Sequence, residues 1–152
     1  MGLDMYLTAE RSLFGPLDKP DTRAEDIIAM FPELTSEVLD MRTVNLSFYV
    51  GYWRKANHIH AWFVKNVQDG VDKCLEYYVD KIRLIELKEV CERVIKEPDQ
   101  APTLLPTTSG FFFGNPEYDA GYFEDVRNTI TQIDRVLPLI DQGYDINYHS
   151  SW

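Results

Sequence analysis

The stretch VNLSFYVGY at residues 44–52 has the most regular pattern in the chain, because larger apolar residues alternate with smaller or more polar ones. Alternation with a period of two is typical of a β-strand that buries one face. Residues 3–11 alternate in the same way, and residues 144–149 do so more weakly. We therefore predict strands at both ends of the chain, and these two strands are candidate neighbours in one sheet.

The segments between the predicted strands have apolar residues at helical spacing, which predicts helices there. Between residues 98 and 118 the pattern is irregular, which predicts a long connection of the kind that often carries function. The alternation of strands and helices predicts an α+β fold in one domain spanning residues 1–152. Its simplest form is a small antiparallel sheet of two or three strands, including the N- and C-terminal strands, packed against three or four helices. The predicted helices cover about residues 21–31, 53–67 and 71–96, with a last helix that begins at Asn115 or Asp119.

Composition excludes several classes of function. The 152 residues include 15 Lys and Arg against 25 Asp and Glu, a net charge of −10, which disfavours extended nucleic acid and anionic membranes as partners. No window approaches 18 apolar residues, and the first residues lack the basic and apolar regions of a signal peptide. We therefore expect a protein of the cytoplasm.

The charge is unevenly distributed along the chain. Residues 51–70 carry three basic residues and one acidic residue, and they hold two of the three tryptophans and two of the three histidines. On a helical wheel this segment has an apolar face, an opposite face towards solvent, and two half-buried flanks. The predicted core face is Ala56, Ile59, Phe63 and Val67, and the predicted solvent face is Arg54, His58, Ala61 and Lys65.

The two flanks of this helix are the first candidate site. Aromatic rings beside amides and imidazoles suit planar, polar ligands such as nucleobases. A neighbouring Arg54 or Lys55 would meet an anionic group. The alternative is that the flanks only pack and bond to nearby backbone. One flank carries Trp53, Asn57 and His60, and the other carries Lys55, Trp62 and Asn66.

The second candidate is the loop SGFFFG at residues 109–114. Three consecutive phenylalanines cannot all face one side of the chain, so at least one points away and could line a cleft. Backbone N–H groups near Gly110 and the neighbouring hydroxyls could hold an anion. The alternative is an apolar plug that fixes the loop to the body. The candidate residues here are Ser109, Gly110, Phe112, Gly114 and Tyr118.

Metal, cofactor and covalent chemistry are not indicated. His58 and His60 point about 200° apart on a helix, so they cannot share an ion. Cys74 and Cys91 lie in the helix predicted over residues 71–96, too far apart for a disulfide, and we expect both to be reduced and buried. Asp119, Glu124 and Asp125 suit the N-terminus of a helix better than catalysis. We expect no metal and no cofactor.

Three stretches together resemble a family of uncharacterised small proteins of bacteriophages and prophages. They are MGLDMYL at residues 1–7, the run beginning YWRKAN at 52–57 and continuing through IH, WFV and NVQ to Gly70 and Cys74, and SGFFFG at 109–114 followed by Tyr118, Asp119 and Tyr122. The ending SSW is also similar, whereas residues 12–45 fit least. The resemblance implies a phage-encoded accessory protein acting in the host bacterial cytoplasm, of a kind that often opposes host defence or signalling.

Three functions remain open from the sequence. The first is a non-catalytic protein that binds a small polar or nucleotide-like ligand beside Trp53 and the 109–114 loop. The second is an acidic interaction or inhibitor module that acts on a host protein through its charge. The third is an enzyme with His60 as general base. A second copy of the chain is a further partner that the sequence leaves open.

Overall fold

The computed structural model describes residues 2–14, 21–34 and 43–152. The strands form one antiparallel sheet in the order Val44–Arg54, Asp4–Leu13, Asp145–Ser151 and Tyr77–Tyr78, so the α+β prediction is confirmed and the N- and C-terminal strands are neighbours. Short 3₁₀ turns lie at Pro32–Leu34 and Pro98–Gln100. The elements are β1 (Asp4–Leu13), α1 (Thr22–Ala29), β2 (Val44–Arg54), α2 (Asn57–Asn66), β3 (Tyr77–Tyr78), α3 (Lys81–Lys96), α4 (Ala101–Leu104), α5 (Ala120–Asp141) and β4 (Asp145–Ser151).

The core lies on one side of the sheet, where α2, α3 and α5 cover it. Met5 and Leu7 of β1 are fully buried, and they pair across the sheet with Trp53 and Gly51 of β2. A β-bulge shifts the register of the two strands after Leu7, which bends β2 and re-aims its side chains. Buried side chains of the sheet and helices join into a single apolar cluster.

The predicted start of the 53–67 helix is wrong by about one turn. Trp53 and Arg54 extend β2, because they pair in register with Met5 and Asp4 of β1. The chain turns at Lys55, whose φ of 60° lies in the left-handed region, and the helix begins only at Asn57. Trp53 therefore does not share a helical face with the residues after it.

The helix predicted over residues 71–96 is also shorter than expected. Asp80 caps its N-terminus by accepting a hydrogen bond from the Arg83 amide at 2.8 Å, and the helix runs from Lys81. The preceding segment turns at Cys74, where φ is 51°, and then contributes β3, a fourth strand that was not predicted. Cys74 is exposed rather than buried, whereas Cys91 is buried; both thiols are free, as expected.

The predicted core and solvent faces of the 53–67 segment agree with the observed burial only in part. The predicted core residues Ala56, Ile59 and Phe63 are buried. His58, predicted to face solvent, is buried instead, because α5 passes over it and its ring contacts Tyr122 at 4.2 Å between centroids.

Helix caps follow the sequence closely. Asp21 and Asp119 accept hydrogen bonds from the first-turn amides of α1 and α5, as their positions predict. Pro138 lies in the last turn of α5, which continues to Asp141.

Candidate functional site

Four stretches that the sequence singles out meet at one end of the sheet. Leu3 donates its backbone N–H to the Phe112 carbonyl at 3.0 Å, and Lys55 donates its own to the Leu3 carbonyl at 2.8 Å. The ring of Trp152 packs edge-on to that of Phe113, with 5.8 Å between centroids. We call this region the motif junction, and it comprises residues 2–3, 53–60, 109–115 and Trp152.

Asn57 ties the 107–115 loop to the first turn of α2. Its side-chain amide donates to the carbonyls of Phe113 and Asn115, each at 3.1 Å, and its side-chain oxygen accepts from the Thr108 amide at 2.8 Å. The side chain is only 1% exposed. All three of these bonds satisfy loop backbone that has no partner in a regular element, so Asn57 holds the loop in one conformation.

Trp53 is fixed in the same manner. Its indole Nε1 donates to the Thr129 hydroxyl at 2.9 Å, and that hydroxyl donates to the Asp125 carbonyl at 2.7 Å. Trp53 is 2% exposed and its ring lies against that of Phe63, 6.1 Å between centroids. The indole therefore packs α5 onto the sheet.

His60 lies at the centre of a buried chain of hydrogen bonds. Its Nδ1 is 2.7 Å from the Tyr148 hydroxyl, and its Nε2 is 2.8 Å from the Asp72 carboxylate. Asp72 also accepts from the Trp152 indole at 2.6 Å and from the Cys74 amide at 3.2 Å. The chain links α2, β4 and the segment between α2 and β3.

The protonation states along this chain follow from burial. Burial lowers the pKa of His60 despite the opposing effect of the Asp72 carboxylate, so the imidazole is neutral. Burial acts to raise the pKa of Asp72, but the donors of Cys74, Trp152 and His60 hold it below its ordinary value. Burial raises the pKa of Tyr148 strongly. Tyr148 therefore donates to Nδ1, and Nε2–H donates to the carboxylate.

A general base needs a nitrogen that can reach the proton of a substrate. Both ring nitrogens of His60 are already bonded within the protein, and the residue is 2% exposed. Tyr148 is fully buried as well. The arrangement holds an imidazole in one tautomer, and in this conformation it presents no reactive atom to solvent.

Lys55 and Arg54 are the exposed cations of the motif junction. The stem of Lys55 runs between two glycines, since a Cβ added at Gly2 or at Gly114 would lie 2.9 Å from it. Gly114 has a φ of 86°, so the loop needs glycine there for its backbone as well as for its space. Arg54 forms an ion pair with Asp4 at 3.2 Å.

The remaining predicted site residues are dispersed. Asn66 donates to the carbonyl of Trp62, one turn earlier, and no hydrogen bond or ring contact of the described residues joins either of them to the 109–115 loop. Ser109 and Gly110 are exposed, whereas Phe112 is half-buried beside Trp152. The Tyr118 hydroxyl accepts from the Thr107 amide at 3.3 Å. The structure thus brings the first flank and Lys55 of the second flank together with the loop, but not Trp62 and Asn66.

The side of the sheet opposite the core was not predicted as a site. Tyr6 lies at its centre, with ring centroids 5.4 Å from Tyr49, 5.3 Å from Tyr52 and 4.9 Å from His149, and the last pair is stacked. Tyr49 is 75% exposed. We call this surface the open face; it comprises Asp4, Tyr6, Thr8, Glu10, Ser47, Tyr49, Tyr52, Asp145, Asn147 and His149.

A signal for the open face exists in the sequence. The alternation that predicts β1 and β2 assigns one residue set to the core, and the remaining set contains Tyr6 and Tyr49. A solvated strand face is normally polar, so bulky aromatic residues at these positions indicate a surface with a role. The outward residues of β1, β2 and β4 form one patch only because β1 pairs with both other strands, and the sequence does not specify this pairing.

The described residues contain no group of three or more His, Cys, Asp or Glu side chains that could hold a metal ion. Within the same part of the chain, no helix has the length and apolar character needed to cross a bilayer. No protein-family model, curated protein or solved structure matches the chain.

Proposed function

We propose that the protein is a non-catalytic binding protein that docks on a positively charged protein through the open face. The observation that carries the proposal is the tyrosine cluster around Tyr6, whose outer members Tyr49 and Tyr52 are exposed. Tyrosine is enriched among the residues that contribute most to protein interfaces, because its ring buries a large area with few rotatable bonds. An exposed group of such rings on a monomer surface is typical of a contact site.

Charge supports a basic partner. The open face carries the carboxylates of Asp4, Glu10 and Asp145. A fourth carboxylate, that of Glu76, accepts a hydrogen bond from the Asn147 side chain at 3.2 Å. Arg54 lies opposite Asp4 on the same face and is paired with it, so among the described residues the unpaired charges of this face are the carboxylates of Glu10 and Asp145. With a net charge of −10 over the whole chain, the field would steer a basic protein towards this surface.

The burial of the motif junction favours this proposal over a ligand cleft beside Trp53. A cleft wall must be accessible, but Trp53, Asn57 and His60 are each at most 2% exposed. Their polar atoms are bonded to Thr129, to loop backbone, and to Tyr148 and Asp72. These residues are accounted for as structural supports.

The resemblance to bacteriophage and prophage proteins supports the biological setting of the proposal. A small phage-encoded accessory protein acts among the proteins of its host, in the bacterial cytoplasm. An acidic surface that docks on a basic host protein could inhibit that protein, and host defence or signalling proteins are the class we propose. This step rests on the resemblance alone.

The test compares matched variants as bait in a bacterial lysate at low ionic strength. Tyr49→Ser removes an exposed ring from the open face, and Ile82→Ser removes an exposed apolar side chain from α3 as a control. We expect a basic protein that the wild type and Ile82→Ser retain, that Tyr49→Ser releases, and that salt elutes.

Capture alone does not support the proposal; dependence on Tyr49 does. Melting curves of both variants establish that each bait is folded. Equal capture by the two variants, or captured proteins that are mainly acidic, would overturn the proposal.

A small anionic ligand at Lys55 is a second candidate, and one observation favours it. Lys55 keeps an exposed ammonium group on a left-handed backbone, with Gly2 and Gly114 on either side of its stem. Non-glycine residues held in this region cluster at functional sites. A melting temperature raised by one member of a nucleotide panel, and not raised in Lys55→Gln, would support the candidate. A panel without any shift would remove it.

A further inference from the structure

Two carboxylates face each other across the central strands of the open face. Glu10 of β1 lies directly opposite Asp145 of β4 in the sheet register. Like charges at directly opposed positions destabilise a sheet. Neither residue forms an ion pair with the described part of the chain, and Glu10 accepts a hydrogen bond from the Ser47 hydroxyl at 3.1 Å. The pair is therefore a concentration of negative charge that no ion pair among the described residues compensates.

An exposed aromatic ring lies beside this pair. Tyr49 of β2 is opposite Thr8, so it is the diagonal neighbour of Glu10 on the same face. Its ring leans towards Tyr6 and His149, which lie on the other side of Thr8 from Glu10. A bound group must therefore bridge from the ring, across Thr8, to the carboxylates. The face of an aromatic ring attracts cations. Tyr49 has ring contacts with Tyr6 and His149, and no cation of the described residues lies over it.

Thr8 supplies an independent indication of a missing partner. It is 5% exposed and lies on the open face between Tyr49 and Asn147, yet its hydroxyl has no hydrogen-bond partner in the structure. A buried hydroxyl without a partner costs free energy, so an incoming N–H donor at this position would be favourable. Thr8 thus lies between the tyrosine cluster on one side and the carboxylate pair on the other.

Arginine matches this set better than other cationic groups. Its guanidinium is planar, so it can stack on a tyrosine ring while its five N–H groups donate to carboxylates. We infer that this part of the open face binds an arginine side chain from an extended, arginine-containing segment of the partner. The guanidinium lies against the ring of Tyr49 and donates to Glu10 and Asp145. The inference rests on the proposed function, which specifies only the partner's charge.

The direct test uses the full chain and defined peptides. One blocked peptide of glycine and serine contains two arginines, and its match contains two lysines in their place; both are titrated calorimetrically at low ionic strength. We expect the arginine peptide to bind several-fold more tightly, because lysine neither stacks nor donates in a fork. The double variant Glu10→Gln/Asp145→Asn should weaken arginine-peptide binding about tenfold or more. Tyr49→Leu should weaken it about threefold.

A control variant separates a local site from general attraction. Glu89→Gln/Glu124→Gln removes two exposed charges from α3 and α5, and we expect it to change the affinity less than twofold, within the effect of distant screened charges. The Glu10→Gln/Asp145→Asn variant should melt no lower than the wild type, because it removes a repulsion.

Three results would overturn the inference: equal weakening by the control pair, equal binding of the lysine peptide, or no binding of the arginine peptide. Binding of a single-stranded oligonucleotide to Tyr49 would overturn it too, since a stacking surface for bases would then explain the rings. A host protein whose capture depends on Tyr49, together with an arginine peptide that does not bind, would leave the proposed function in place and remove this inference alone.

Discussion

The motif junction and the open face contain the same types of residue but use them in opposite ways. In the motif junction, His60 is buried and bonded at 2.7 Å to Tyr148 of the adjacent β4, and Asn57 makes three hydrogen bonds. On the open face, His149 stacks on Tyr6, and the buried His149 Nδ1 has no hydrogen-bond partner. Apart from His58 Nε2, the buried polar side chains of the motif junction are bonded internally, whereas the open face contains buried polar atoms, Thr8 Oγ1 and His149 Nδ1, that have no partner.

The comparison shows that an unusual stretch of sequence need not form a functional surface. Tryptophan, histidine and asparagine are concentrated at residues 53–62, where most of them are needed to fix a loop, a strand end and a helix start in one arrangement. A fully satisfied buried polar network makes such an arrangement unique. The tyrosines of the open face do not contribute comparable hydrogen bonds to the core, so their exposure requires another reason.

The largest effect expected from this comparison follows from replacing Asn57. In Asn57→Ala, the Phe113 and Asn115 carbonyls and the Thr108 amide lose their partner in a part-buried site. We expect the free energy of unfolding to fall by about 3 kcal/mol, the sum of several unsatisfied backbone groups. Urea denaturation measures this directly.

Two asparagines elsewhere serve as controls for that loss. Asn147→Ala on the open face breaks one bond to Glu76 at 3.2 Å, and Asn66→Ala breaks one bond within α2. We expect each to cost less than about 1 kcal/mol, because the freed groups reach water. If Asn147→Ala were as costly as Asn57→Ala, the two regions would not differ as described.

Local sequence patterns predicted most elements of the fold, but neither β3 nor the correct ends of β2 and α3. Alternation identified β1, β2 and β4, and Asp119 was one of the two predicted starts of the last helix. The end of β2 was missed, because Trp53 and Arg54 suit a helix and a strand equally and their pairing with β1 decides between them. The two residues of β3 are too short for any periodicity, and they form a strand because β4 offers an edge.

The candidate site was predictable only in part, for a similar reason. Asn57, His60 and the 109–115 loop were selected by residue type, and the structure does bring them together. Whether such residues line a cleft or support each other depends on burial, which arises from contacts between distant segments such as His60 with Asp72 and Tyr148. The sequence supplies the residue types but not this packing.

His58 sharpens the comparison, because it is a buried polar side chain in the motif junction whose Nε2 has no hydrogen-bond partner. Burial lowers its pKa from 6.5 to about 3. Between these values the unfolded chain binds a proton that the folded chain does not, so stability must fall as the pH drops below 6.5. At pH 5 we expect this single group to cost about 2 kcal/mol relative to neutral pH.

His58→Phe tests this dependence while keeping a ring against Tyr122. The variant should lose about 2 kcal/mol less than the wild type between pH 7 and pH 5, measured by urea denaturation at each pH. An unchanged difference between the two pH values would mean that His58 is protonated in the folded protein, and that the motif junction can open around it.

The smallest expected effect is also the sharpest contrast. The same change, threonine to valine, should lower the stability beside the motif junction and raise it on the open face. Thr129→Val removes the hydroxyl that accepts from the Trp53 indole at 2.9 Å, which leaves a buried N–H unpaired and should cost about 1–2 kcal/mol. Thr8→Val removes a buried hydroxyl that has no partner and places a β-branched apolar residue in a strand. It should therefore stabilise the protein by about 0.5 kcal/mol. A loss of stability in Thr8→Val would mean that water already satisfies this hydroxyl, and the open face would then lack the unpaired acceptor that distinguishes it from the motif junction.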